Sequence, residues 1–131
     1  MKISPVVFFA YNRPYHTIKS LSHLKKNKLA SKTDLLIFID GPKNNSEDKV
    51  RVKLVCDIVK KIDGFKSKKI FFRKNNLGLS KNFISGISQI LKKYESVIVI
   101  EDDNLVSKYF LDYINQGLNL FKNDNNICAI N

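Results

Sequence analysis

Two hydrophobic patterns take turns along this chain. Residues 5–11 (PVVFFAY), 35–39 (LLIFI), 69–73 (KIFFR), 97–100 (VIVI) and 127–130 (ICAI) are short apolar runs with little polar alternation. A strand with one wet face alternates apolar and polar, so runs of this kind predict strands covered on both faces. Between them, apolar residues recur at helical spacing. Ile18, Leu21 and Leu24 follow Pro14, which suits a first helical turn, and end at the cluster Lys25-Lys26-Asn27-Lys28. Val50, Leu54, Val55, Ile58, Val59 and Ile62 predict a second helix closed by Asp63-Gly64. Phe83, Ile84, Ile87, Ile90 and Leu91 predict a third, with Ser80 as its N-cap. Phe110, Leu111, Ile114, Leu118 and Phe121 predict a fourth over 107–121. The order β-α-β-α-β-α-β-α-β predicts one α/β domain over residues 1–131, a three-layer α/β/α sandwich with a mainly parallel, Rossmann-like sheet. A fifth strand starting at Ile127 and stopping at Asn131 suggests a larger fold cut after its first half.

Composition changes this picture little. Apolar residues make up 44% and charged residues 27%, as in ordinary globular domains. The formal charge of +11 favours anionic partners, but the lysines are spread along the chain and form no arm or stripe. Cys56 and Cys128 lie among apolar neighbours and outside any C-x-x-C pair, which predicts free buried thiols in a reducing compartment. The apolar run near the N-terminus is too short for a signal peptide or a membrane span, so the expected location is cytoplasmic.

In a parallel sheet all carboxyl ends of strands share one edge, and ligands bind there. That edge collects Tyr11-Asn12-Arg13 from the first strand and Asp40-Gly41 from the second. The third adds Arg73, Lys74 and Asn75, and the fourth adds Glu101-Asp102-Asp103. Lys81 follows close by, after Gly78. Three adjacent carboxylates repel one another, and a divalent cation would offset this; oxygen donors suit Mg²⁺ or Mn²⁺. Carboxylates for a cation and guanidinium groups for phosphate are what a metal–nucleotide site requires. Taken singly, Arg13 reads as a surface residue, Asp40 as the acid of a D-G turn, and the acidic triplet as an exposed turn or helix cap.

Other chemistries lack their motifs. Neither G-x-x-x-x-G-K-[ST] nor G-x-G-x-x-G follows the first strand, and no Cys/His spacing suits zinc. His16 and His23 read as surface residues of the first helix, away from the rim except that His16 is near the helix start.

The succession PVVFFAYNRP, LLIFIDGP, FFRKNNLGLSKNF and VIVIEDDN, in this order over residues 5–130, resembles the nucleotide-sugar-binding half of GT-A glycosyltransferases. It is most similar to bacterial family-2-like sugar transferases and to the N-acetylglucosaminyltransferase type with a Glu-Asp-Asp metal motif. The resemblance implies that Tyr11, Asn12 and Arg13 meet the nucleotide and its diphosphate, and that Asp40 meets the uracil or ribose. It further implies that Arg73, Asn75, Gly78 and Lys81 form the base-side loop, Asp102 faces the donor, and Asp103 binds Mn²⁺ or Mg²⁺ as a DxD-type motif. The implied partners are a UDP-linked nucleotide sugar and a glycan or lipid-linked acceptor. Surface-polysaccharide synthesis with peripheral contact at the inner membrane is the implied setting. The family's acceptor half, with the catalytic base of inverting members, follows the strand at Ile127, so the resemblance implies donor binding without transfer.

Two alternatives remain open on the residues. A sugar nucleotidyltransferase shares the sheet and the metal carboxylates, yet carries a Gly-rich Arg-Lys loop where this chain has Tyr11-Asn12-Arg13-Pro14. A non-catalytic basic α/β module is the other; absent tryptophan, dispersed lysines and no aromatic RNA-binding strand argue against specific nucleic-acid binding.

Overall fold

The computed structural model describes every residue of the chain, 1–131. Strands β1 (Val6–Ala10), β2 (Asp34–Ile39), β3 (Ser67–Phe72) and β4 (Ile98–Glu101) alternate with helices α1 (Pro14–Lys25), α2 (Ser46–Lys61), α3 (Leu79–Leu91) and α4 (Phe110–Leu120). The sheet runs β3-β2-β1-β4, and every neighbouring pair is parallel. The α/β expectation therefore holds, with helices on both faces.

Two apolar layers explain why the central strands tolerate no polar position. Val6, Phe8, Ala10, Leu35, Ile37 and Ile39 face α1, α2 and α4 through Leu21, Leu24, Val52, Val55, Val59, Leu111 and Ile114. Val7, Phe9, Leu36 and Phe38 face α3 through Phe83, Ile87 and Ile90. All of β1 is buried as a result.

The two sheet edges are protected differently. β3 is flanked by Lys66 and carries Lys68 and Lys69, and lysines on an edge discourage pairing with another chain. Lys68 also closes α2: its ammonium donates to the carbonyls of Val59, Lys60 and Ile62 at 2.9, 2.7 and 2.6 Å. β4 carries no lysine, and its one charged residue is Glu101 at its end. It borders β1 on one side only, and Val99 is 38% exposed, so the fourth apolar run is an edge strand and not one covered on both faces.

No fifth strand forms; residues 127–130 are irregular, and Cys128 is exposed where burial was expected. Handedness gives the reason. The β3–α3–β4 crossover turns back across the sheet on the α3 face, and a further outward step to a parallel strand needs its helix on that same face. α4 packs instead beside α1, where the Leu111 N–H donates to Asn27 Oδ1 at 2.9 Å, so a parallel strand at 127–130 would require a left-handed connection. Cys56 is half-buried, and burial pushes its thiol pKa up.

The predicted helix faces hold at Leu21, Leu24, Val55, Val59, Ile90, Leu111 and Ile114 but not at every position. Ile18, Val50, Leu54, Ile84 and Leu91 are exposed, while Thr17, Ser20, Asn82 and Gly86 are buried. Small and hydrogen-bonded residues make the close contacts, and counting apolar positions misses them. The Thr17 hydroxyl donates to the Arg13 carbonyl at 2.8 Å, and that of Ser20 to the Asn104 carbonyl at 2.6 Å. A Cβ at Gly86 would lie 2.9 Å from the Phe9 ring, so glycine lets α3 approach the sheet. Gly78, not Ser80, caps α3, and α4 begins at Phe110, not Ser107.

Candidate functional site

The chain builds β1, β2 and β3 in one direction and then places β4 on the other side of β1. In open α/β sheets ligands bind at the carboxyl edge where the strand order reverses, here between β1 and β4. A pocket of about 330 Å³ lies there. Phe9, Ala10, Leu79 and Phe83 form its apolar wall; Tyr11, Arg13 and Lys43, then Asp40, Asn76, Gly78 and Asn82, then Glu101 and Asp102 complete the lining.

After β1, three donors converge on Asp48. The Tyr11 hydroxyl donates to Oδ2 at 2.5 Å, the Asn12 side-chain amide to Oδ1 at 2.6 Å, and the Lys43 backbone N–H to Oδ2 at 2.5 Å. Asp48 sits in the first turn of α2, where its own N–H donates to the N-cap Asn45 at 2.8 Å. Burial disfavours the Asp48 carboxylate, but the hydrogen bonds from Tyr11, Lys43 and Asn12 outweigh this and hold its pKa below the ordinary value. Burial, then the hydrogen bond to Asp48, push the Tyr11 phenol up to about 12.

Arg13 reaches across to the end of β4. Its guanidinium grips both carboxylate oxygens of Asp102, with Nε 3.3 Å from Oδ2, and lies 3.6 Å from Asp103. Asp102 is 4% exposed, and burial raises its pKa although Arg13 opposes the shift. The same ion pair raises the Arg13 pKa. The acidic triplet thus has an internal counter-charge. Asn104 closes the turn: its Oδ1 accepts the Glu101 N–H at 2.8 Å, and its N–H donates to the Glu101 carbonyl at 3.1 Å. No three His, Cys, Asp or Glu side chains converge as a metal cage. Asp103 is exposed and outside the pocket lining, while Glu101 lines it.

Asp40, 4% exposed, is a loop anchor. Oδ1 accepts the N–H groups of Gly41 and Leu77 at 2.9 and 2.8 Å; Oδ2 accepts the Gly78 N–H at 3.0 Å and the Asn76 amide at 3.3 Å. Four donors occupy its acceptor positions. Arg73 turns away from the rim to Asn82 (3.1 Å) and Ser85 (3.2 Å) and stacks 5.0 Å over the Phe38 ring, bracing a residue of the pocket wall from behind. Asn75 and Lys81 are exposed and outside the lining; Asn76 lines the pocket where Asn75 was expected.

Sequence reasoning passed over Lys43, Asp48, Asn76, Leu79, Asn82 and Phe83. Only Asp48 carried a legible signal: Asn45 followed three positions later by an acid is an N-cap pattern that places Asp48 in a first helical turn.

No protein-family model and no curated protein matches the sequence. Among solved structures, the chain is similar to the crystal structure of S. aureus TarS, a glycosyltransferase, with a TM-score of 0.59 at 15% identity. The fold is GT-A-like. The match covers 92% of this chain and 20% of TarS, so the chain spans about a fifth of that protein's length. In this GT-A-like fold the crevice between β1 and β4 at the carboxyl edge combines basic, acidic and aromatic groups.

Proposed function

We propose that this chain is the donor-binding part of a glycosyltransferase and that the pocket between β1 and β4 takes a UDP-type nucleotide sugar. One observation carries the reading: residues from both strands flanking the switch point, Arg13 and Asp102, meet in an ion pair on the wall of the pocket. The similarity to TarS supports the same class of activity.

In this reading Phe83, half-buried and backed by the Phe9 ring stacked 4.1 Å from it, offers an apolar wall to the base. Asp40 fixes the loop that carries Asn76 and Gly78. Tyr11 and Asn12 are held by Asp48, so the β1–α1 corner is set before the ligand arrives. Asp102 aims Arg13 along the crevice and stands beside the donor. Asp103, exposed just past the end of β4, fits Mn²⁺ or Mg²⁺ of the kind held by one or two carboxylates and otherwise by phosphate oxygens and water. Such a cation supplies charge neutralisation at the diphosphate. Asn75, on the β3–α3 loop, and Lys81, in the first turn of α3, are both exposed, and Arg73 acts through Asn82.

The acceptor in this reading is a glycan or lipid-linked glycan, and the basic surface suits peripheral contact with an anionic membrane. No helix is long and apolar enough to cross a membrane. Calorimetry with UDP, with and without Mn²⁺, tests the proposal. Binding that strengthens with Mn²⁺ and loses that gain in Asp103→Ala supports it. Salt-sensitive binding of oligonucleotides with no response to UDP would replace it with the basic-module alternative.

A further inference from the structure

We propose that Lys43, on the loop between β2 and α2, supplies the positive charge that meets the phosphate groups of the pocket's ligand. The inference rests on the nucleotide reading above and names a contact within it.

The cations around the pocket differ in what they have left to give. Arg13 is committed to Asp102 and Asp103. Arg73 is committed to Asn82, Ser85 and the Phe38 ring. Lys81 lies outside the lining. Lys43 lines the pocket, and its ammonium enters no ion pair. Asp40 is filled by its four donors. The charged lining groups with uncommitted side chains are therefore Lys43 and Glu101. A phosphate entering the crevice is repelled by Glu101 and attracted by Lys43.

The base of Lys43 is fixed although its head is free. Its N–H donates to Asp48 at 2.5 Å and its carbonyl accepts the Asn45 N–H at 2.8 Å. Two residues earlier the loop packs so closely on the β3–α3 loop that a Cβ on Gly41 would lie 2.4 Å from the Asn75 carbonyl carbon. A flexible ammonium on an anchored backbone can follow a diphosphate while its Cα stays in place, which lowers the ordering cost of the contact.

Comparing UDP with uridine isolates the phosphate contact. Calorimetry on the wild type and on Lys43→Ala, Lys43→Arg and Lys43→Glu is expected to show about tenfold weaker UDP binding in Lys43→Ala. Uridine binding should be unchanged in that variant, UDP affinity largely restored in Lys43→Arg, and the largest loss seen in Lys43→Glu. UDP binding by Lys43→Ala at wild-type strength, or an equal loss for UDP and uridine, would overturn the role of Lys43 and leave the nucleotide reading standing. A wild-type protein that binds neither ligand would overturn that reading and this contact together.

Discussion

Arg13 and Asp102 stand 89 positions apart in sequence and join the ends of the two adjacent strands β1 and β4 in a two-pronged ion pair. Asp102 is buried and Arg13 is nearly half exposed, so the pair stabilises less than a fully buried one, yet its loss strands a buried carboxylate. Arg13→Ala is expected to cost about 2 kcal/mol in urea unfolding at neutral pH. Asp102 already has a raised pKa from burial, and removing Arg13 raises it further. A carboxyl with a raised folded pKa favours folding below its unfolded value and loses that advantage as pH rises through the folded one. The deficit of Arg13→Ala should therefore shrink on acidification, which stability curves across the acid range will read.

Asp40→Ala removes the acceptor for three backbone N–H groups, of Gly41, Leu77 and Gly78, and for the Asn76 amide. A loss of about 2–3 kcal/mol is expected. Hydrogen exchange at Leu77 and Gly78 should quicken much more than at β1, whose amides belong to the sheet. Uniform acceleration along the chain would point to global loosening and against a local anchor.

This anchor and the ion pair show what could be read from the sequence. The parallel α/β fold was legible because both faces of the central strands are covered, leaving no alternation to confuse strand with surface. The rim was legible because parallel strands must end together, which brought Arg13, Asp40 and Asp102 to one edge. Which partner each would choose was not legible. Asp40 accepts amides from a loop 37 positions away, and no local pattern encodes that contact. The fifth strand failed for a similar reason: 127–130 has strand composition, but the face on which α4 packs is a tertiary fact. Lys43 looked like one lysine among many until the commitments of Arg13 and Arg73 were visible.

The two glycines that shape the pocket rim should respond differently to alanine. At Gly41 a Cβ meets the backbone of Asn75 at 2.4 Å, so Gly41→Ala must move one loop against the other, at about 2–3 kcal/mol. At Gly78 the space is open and only the positive φ of 79° opposes a side chain. Backbone at φ 79° and ψ 163° is open essentially to glycine alone, so Gly78→Ala should cost about 1–3 kcal/mol through strain at that one residue. Thermal melts of both variants check the two costs.

Tyr11 and Asp48 define both ends of the pH profile. Asp48, with its pKa below the ordinary 3.8, adds stability that is present above that value and fades as pH falls through the folded pKa. Tyr11, raised from 10.0 to about 12, adds stability that is present below 10.0 and fades as pH rises through about 12. Ultraviolet titration should show one late-ionising tyrosine that disappears in Tyr11→Phe. In Asp48→Asn that tyrosine should titrate closer to 10.0, and the acid limb of stability should flatten. A tyrosine titration unchanged in Asp48→Asn would contradict the coupling.

The central claim is that a nucleotide diphosphate sits in the crevice between β1 and β4. The most direct measurement is an amide NMR titration of the chain with UDP and Mg²⁺. The account predicts saturable shifts concentrated at Tyr11, Arg13, Lys43, Leu77, Gly78 and 101–103, with α2 beyond its first turn and the far end of α4 unmoved. Saturable shifts mapped to the opposite edge of the sheet, or no saturable shift at all, would contradict it.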